Sequence, residues 1–189
     1  MTSATELRLL TVADYHRMAE SGILAADERV ELIEGQIYRM VAKGTAHSAA
    51  VTRIARILSE RLANQVLLRL QDPVQLSDLS EPEPDIAIVQ SDRLDYEDHH
   101  PTPREIFGLI EVADSTLKRD LEVKAPLYAR SGIAEYWVLD VLGRCLHVFR
   151  HPGDTNYEFQ QQLEEEDAIA PLAFTDCVIQ IAEFFQSRN

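Results

Sequence analysis

Cysteine, positive charge and long apolar runs are all scarce in this sequence. Among 189 residues there are two cysteines, Cys145 and Cys177. They lie far apart and each stands alone, so they make neither a zinc spacing nor a disulfide framework. Both are expected to be small core residues. No apolar stretch approaches the ~20 residues that a membrane helix needs. The N-terminal MTSATELRLL lacks the basic segment and long apolar run of a secretion signal. A soluble, cytoplasmic chain with no membrane partner is expected. There is no repeat, low-complexity tract or Pro/Gly/Ser linker, so residues 1–189 are expected to form one domain, with 46% hydrophobic residues to build its core. Lys and Arg number 18 against 32 Asp and Glu, a net charge of −14. Phosphate binding draws on Lys and Arg. Any contact with nucleic acid is therefore expected to be weak, salt-sensitive and confined to a local basic patch.

What is present reads as alternating helices and strands. TVADYHRMAESG, capped by Thr11 and stopped by Gly22, predicts a short helix. RVELIEGQIYRMV alternates and breaks at Glu34–Gly35, which predicts an N-terminal β-hairpin. Val51, Ile54, Leu58 and Leu62 recur at helical spacing and predict one long amphipathic helix. QVLLRLQDPVQLS predicts a strand broken at Asp72–Pro73, DIAIV a second strand, and Ser91 to Arg104 a polar loop. EIFGLIEVA predicts a central strand. LKRDLEVKAPLYARSG predicts a helix kinked or split at Pro126. AEYWVLDV and RCLHVFRH predict another hairpin around Leu142–Gly143, and NYEFQQQL an edge strand. EEED reads as a solvated acidic turn and VIQIAEFFQ as a closing helix. The order is that of an α/β fold, a mixed β-sheet flanked by helices.

Chemistry concentrates on four residues. Asp85 opens a strand behind Pro84. Glu111 is the one charge within LIEVA, where an unpaired carboxylate would cost several kcal/mol or take up a proton. Asp85 precedes Glu111 by 26 residues, a separation that suits two adjacent strands. Two such carboxylates are ligands that Mg²⁺ accepts. Lys124 follows Glu111 by 13 residues and can swing back over the strand ends to orient water and steady developing charge. Glu31 lies in the alternating strand VELIEG. An ordinary ion pair and a Pro–Asp turn explain the same residues, and both readings are open on spacing alone.

VELIEGQI, EPDIAIV and the block from LIEVADST to YARSGIAEYWVLD resemble successive segments of a large bacterial family of restriction-endonuclease-like proteins. This is the Uma type, formerly a domain of unknown function, within the PD-(D/E)XK nuclease superfamily. The resemblance runs from about Leu10 to the C-terminal segment, and EYWVLD is its most specific part. It implies a restriction-endonuclease-like fold, Mg²⁺ or Mn²⁺ as cofactor, and DNA as substrate. Asp85 matches the superfamily aspartate and Glu111 the second acid, and the backbone carbonyl of Val112 becomes a further metal ligand. The motif's lysine belongs two residues after the acid, where this chain has Ala113. Lys124 matches the position it takes in relatives whose lysine has moved to the next helix. Glu31 matches an acid at the edge of such sites, and His47 a recurrent position at a helix start. Basic contacts are sparse: Arg53 and Arg56 on the long helix, and Lys118, Arg119 and Arg130 around the next. Arg53 and His47 are the candidates for touching substrate. Asp120 reads as a surface partner of Lys124, Glu83 as a loop acid, Asp114 as a cap, Tyr136 and Trp137 as core. His99 and His100 are assigned no role.

Three functions follow in order of preference. The first is a metal-dependent DNA phosphodiester hydrolase. The second is a nuclease-fold homodimer that no longer cuts and serves as a binding or regulatory module. The third is a structural protein with a satisfied ionic cluster. A homodimer is expected in the first two, since it pools two basic edges and supplies two sites for two strands.

Overall fold

The structure, a computed structural model, describes residues 7–185. The start of MTSATELRLL and the last glutamine of VIQIAEFFQ lie outside that range. Helix α1 (Val12–Glu20) begins where Thr11 and Asp14 each accept a hydrogen bond from the other's backbone N–H, a capping box that satisfies two otherwise orphaned donors. The hairpin β1 (Val30–Ile33) and β2 (Gln36–Arg39) turns at Glu34 and Gly35. Both have positive φ, 48° and 75°, as in the two-residue turns whose twist matches that of the strands.

Six further strands form the main sheet, in the order β3 (Leu67–Leu70), β4 (Ile86–Val89), β5 (Ile106–Ala113), β6 (Glu135–Asp140), β7 (Cys145–Pro152) and β8 (Tyr157–Leu163). Neighbours are antiparallel except β5 and β6, which are parallel. The sheet is therefore mixed, β5 lies inside it and NYEFQQQL lies at its edge, as the sequence predicts. Strand residues alternate between two cores. Ile86, Ile88, Ile110, Val112 and Trp137 face helix α2 (Thr45–Arg61) through its Val51, Ile54 and Leu58. Ala87, Val89, Leu109, Ala113 and Tyr136 face helix α4 (Ala125–Arg130) through Leu127 and Tyr128. Burial on both sides is why DIAIV is a continuous apolar run.

The crossover from β5 to β6 starts with a single turn, α3 (Leu117–Arg119), and continues through a π turn, Asp120–Lys124, into α4. Pro126 lacks the N–H that an α-helix would give to the Glu122 carbonyl. The wide turn absorbs that mismatch, and Pro126 then sits in the first turn of α4, where proline is tolerated. The closing helix predicted for VIQIAEFFQ does not form. Ile179–Gln180 (β10) pairs with Ala168–Ile169 (β9), and only a 3₁₀ turn, Ile181–Phe184, follows. Ile179, Ile181 and Phe184 are fully buried, a placement that two-residue alternation achieves and a helix of this length cannot. Among the described residues no helix is long and apolar enough to cross a membrane.

Candidate active site

β4 and β5 pair with Ile86 opposite Ile110. One step further along this register Asp85 stands opposite Glu111, and directly opposed residues project to the same face. Both acids line a narrow cleft with a cavity of about 50 Å³. Its walls also carry Glu31, His47, Val112 and Lys124, so every sequence-predicted acid and the predicted lysine meet in one place. All are deeply buried: Glu31 is 1% exposed, Asp85 5%, Glu111 4% and Lys124 4%.

Each acid is held by named partners. Lys124 Nζ donates to Glu111 Oε1 at 2.6 Å and lies 3.5 Å from Glu31 Oε2. The Tyr128 hydroxyl donates to the same Glu111 oxygen at 3.1 Å. Arg119 is paired with Glu31, whose other oxygen accepts from the Glu83 N–H at 3.2 Å. The π turn matters here, because it ends on Lys124 and carries the ammonium toward β5 and β1. Asp85 Oδ2 accepts from the Val112 N–H and contacts His47 Nε2, each at 2.9 Å. Its Oδ1 accepts from Gln71 Nε2 at 3.2 Å and lies 3.6 Å from Lys43 Nζ.

Electrostatics separates the two central carboxyls. Burial pushes Glu111 well above the ordinary carboxylate range; Lys124 opposes this, while Asp85, Asp120 and Glu31 add to it. Burial acts on Asp85 too, but His47, the Val112 N–H and Lys43 outweigh it and hold the carboxyl below its usual value. Lys124 is held as an ammonium: burial disfavours the charge, and Glu111, Glu31 and Asp120 more than compensate. Burial lowers Lys43 and raises Asp120 and Glu83. Six carboxylates line the cleft (Glu31, Glu83, Asp85, Glu111, Asp114, Asp120) against the cations Lys43, Arg119 and Lys124. Such an excess draws a cation in. Neighbouring carboxyls with affinities pushed apart are the arrangement from which acid–base assignments are made.

Other sequence expectations meet different outcomes. Arg53 is not brought to the cleft; it donates to the Phe184 carbonyl at 2.7 Å. His47, the other candidate for touching substrate, is brought to the cleft and is buried against Asp85. Asp120 is not on the surface: it is 3% exposed and accepts from Thr116 Oγ1 at 2.6 Å. His99, assigned no role, lies away from the cleft and pairs with Asp98 at 2.6 Å and Glu105 at 3.1 Å. Tyr136 and Trp137 are core residues. Lys43, Gln71 and Tyr128 were missed. The chain has three lysines, Lys43, Lys118 and Lys124, and that scarcity was the one signal pointing to Lys43. Gln71 and Tyr128 carry no local signal; Gln71 reaches Asp85 because β3 and β4 pair.

No curated protein matches the chain. Among solved structures it is similar to "a putative nuclease belonging to DUF820" from Anabaena variabilis ATCC 29413, with a TM-score of 0.72 and 17% identity over 93% of this chain and 97% of that one. It also overlaps the type IIG restriction endonuclease BpuSI with a TM-score of 0.41 and 14% identity, over 73% of this chain and 14% of that one. The first likeness establishes a nuclease fold. The profile of the Uma2 family, described as "Putative restriction endonuclease", matches residues 12–182, and the chain belongs to that family.

Proposed function

We propose that the protein is a divalent-metal-dependent deoxyribonuclease. The donor set fits a hard cation. Two opposed carboxylates share a cavity of about 50 Å³; Lys124 Nζ donates to Glu111 and the Val112 N–H to Asp85, so both carboxylates are already oriented. Asp85, Glu111 and the Val112 carbonyl would hold Mg²⁺ or Mn²⁺, with water completing the shell. Such an ion supplies Lewis-acid polarisation of a phosphoryl oxygen and a more acidic water.

The side chains do the rest. Lys124 has three N–H donors. Glu111 takes one at 2.6 Å, and another is free to orient the attacking water or to hold charge on a non-bridging phosphate oxygen. Glu31, fixed by Arg119, keeps the ammonium aimed. His47 locks the Asp85 carboxylate and retains a buried ring nitrogen, Nδ1, with no protein partner, available to a phosphate or its water. Binding of DNA would be site-confined, given the −14 charge, and a homodimer would pool two basic rims. The observation that carries this reading is the convergence of Asp85, Glu111, Glu31 and Lys124 on one cleft.

A second reading, a homodimeric binding module that does not cut, is favoured by one fact: Lys124 is already engaged by two carboxylates. Incubation of supercoiled plasmid and a single-stranded oligonucleotide with Mn²⁺ separates the two. The first reading expects nicking by the parent protein and none by Lys124→Ala. An intact plasmid at saturating Mn²⁺, with no rise in melting temperature, refutes it in favour of the second.

A further inference from the structure

We propose a second metal centre, outside the acid cleft, formed by Asp140, Cys145 and His147 on the hairpin joining β6 to β7 and suited to a borderline transition-metal cation such as Zn²⁺. In the β6–β7 register Asp140 stands opposite Cys145 and Val138 opposite His147. Opposed residues, and residues two apart, project to one face, so the three side chains stand together. One ligand atom from each lies within 4.8 Å of the other two. Cys145 Sγ and His147 Nε2 are 3.7 Å apart. A tetrahedral zinc with Zn–S of about 2.3 Å and Zn–N of about 2.0–2.1 Å separates its sulfur and nitrogen by about 3.6 Å.

The carboxylate is also prepared. Asp140 Oδ1 accepts from the N–H groups of Leu142 at 3.0 Å and Gly143 at 2.7 Å, the kind of backbone support that orients ligating carboxylates. The hairpin turn thus accounts for one carboxylate oxygen only. The other, Oδ2, lies over Gly143, where a Cβ would leave it no room. Thiolate, imidazole and carboxylate together select Zn²⁺ or a similar ion over Mg²⁺. Asp140 and His147 are partly exposed, which gives an ion access. Glu164 follows Leu163, the partner of Leu146 across β7 and β8, but its carboxylate accepts from Gln162 Nε2 at 2.8 Å, so a water would complete the tetrahedral shell. None of these residues lines the acid cleft. The sequence hides the site because its spacing, Asp-x4-Cys-x-His, contains no cysteine pair; a strand hairpin, not a zinc loop, brings the ligands together.

Cobalt titration of the full-length protein tests this, with Asp85→Asn run in parallel so that an ion in the acid cleft is recognised separately. The expected result is one thiolate-ligated Co²⁺ per chain in both proteins, seen as a charge-transfer band and displaced by equimolar Zn²⁺; Co²⁺ taken up by the parent beyond that, and not by Asp85→Asn, belongs to the acid cleft. Cys145→Ser should abolish the band. His147→Gln should weaken binding by more than the roughly 10–100-fold that loss of an outer-shell partner costs. Far-ultraviolet circular dichroism verifies that both variants are folded. Absence of the band at a few-fold excess of Co²⁺, or its persistence in Cys145→Ser, overturns the proposal, and neither result bears on plasmid cleavage.

Discussion

Replacing Lys124 by Met tests the electrostatic account of the cleft most directly. In the parent, an ammonium 2.6 Å from Glu111 is enclosed with it, each side chain 5% exposed, so solvent screening does not dilute their interaction. Removing one partner of a buried pair costs about 3–5 kcal/mol. A second route gives a similar figure. Glu111 without its cation is expected to take up a proton, and keeping a carboxyl of unfolded pKa about 4.3 protonated at pH 7 costs about 3.7 kcal/mol. The sign follows from burial, which raises the folded-state value and which Lys124 opposes in the parent, so losing Lys124 raises it further. A carboxyl that binds its proton more tightly when folded carries no penalty below its unfolded pKa, and the penalty grows as pH rises toward the folded value. Each pH unit in that window is worth about 1.4 kcal/mol. Urea unfolding of Lys124→Met should therefore show a loss of about 3 kcal/mol at pH 7, most of it recovered at pH 5, with an unchanged denaturant slope. The Glu111→Gln/Lys124→Met double variant should lie within about 1 kcal/mol of the parent, since replacing both members of a buried pair is often neutral. An equal loss at both pH values, or a double variant as unstable as the single, would refute the reasoning.

Two further outcomes are expected. Mn²⁺ at a hundred times its Kd should stabilise the parent by about 2.7 kcal/mol, read as a rise in melting temperature, and Asp85→Asn should remove that rise. His47→Gln leaves Asp85 buried with one partner fewer; it should cost about 1–3 kcal/mol in urea and weaken Mn²⁺ binding without preventing saturation.

Much of the fold was legible because local chemistry and tertiary packing agree. Glu34–Gly35 needs positive φ twice, and the glycine supplies one of them cheaply. Val51, Ile54 and Leu58 repeat at the helical period because one face of α2 meets the sheet. Legibility failed where packing overrode length. The apolar residues after Val178 suit a helix, yet Ile179 and Ile181 are both fully buried, so strand alternation followed by a 3₁₀ turn prevails. The site was legible as a set of charges in apolar company, since a carboxylate in LIEVA demands an explanation. Its supporting partners were not. Lys43 lies on the loop between β2 and α2, Gln71 at the end of β3 and Tyr128 on α4; only the strand order and the π turn bring them to Asp85 and Glu111.

The acidity of the chain bears on the order of events rather than against DNA as such. Arg119, which lines the cleft, is committed to Glu31, and cations on neighbouring elements are committed too: Arg29 to Glu83 at 3.8 Å, Arg39 to Glu28 at 3.2 Å, and Lys118 to Glu122 at 3.8 Å. Few counterions are released when phosphates meet cations that acids already neutralise, so metal-free affinity for DNA should be low and its salt slope shallow. On the proposed reading, a divalent ion held by Asp85 and Glu111 would change this locally. It would offset most of the carboxylate excess of the cleft, and by competing with Lys124 for Glu111 it would free an ammonium donor. Metal and DNA would then be coupled ligands, and the coupling would be reciprocal: whatever factor Mn²⁺ adds to DNA affinity, DNA must add to Mn²⁺ affinity. Fluorescence anisotropy of a labelled, non-hydrolysable duplex with the parent protein, at rising Mn²⁺, measures that factor. A duplex bound equally well with and without the ion would place the DNA surface elsewhere on the molecule and leave the cleft without a substrate.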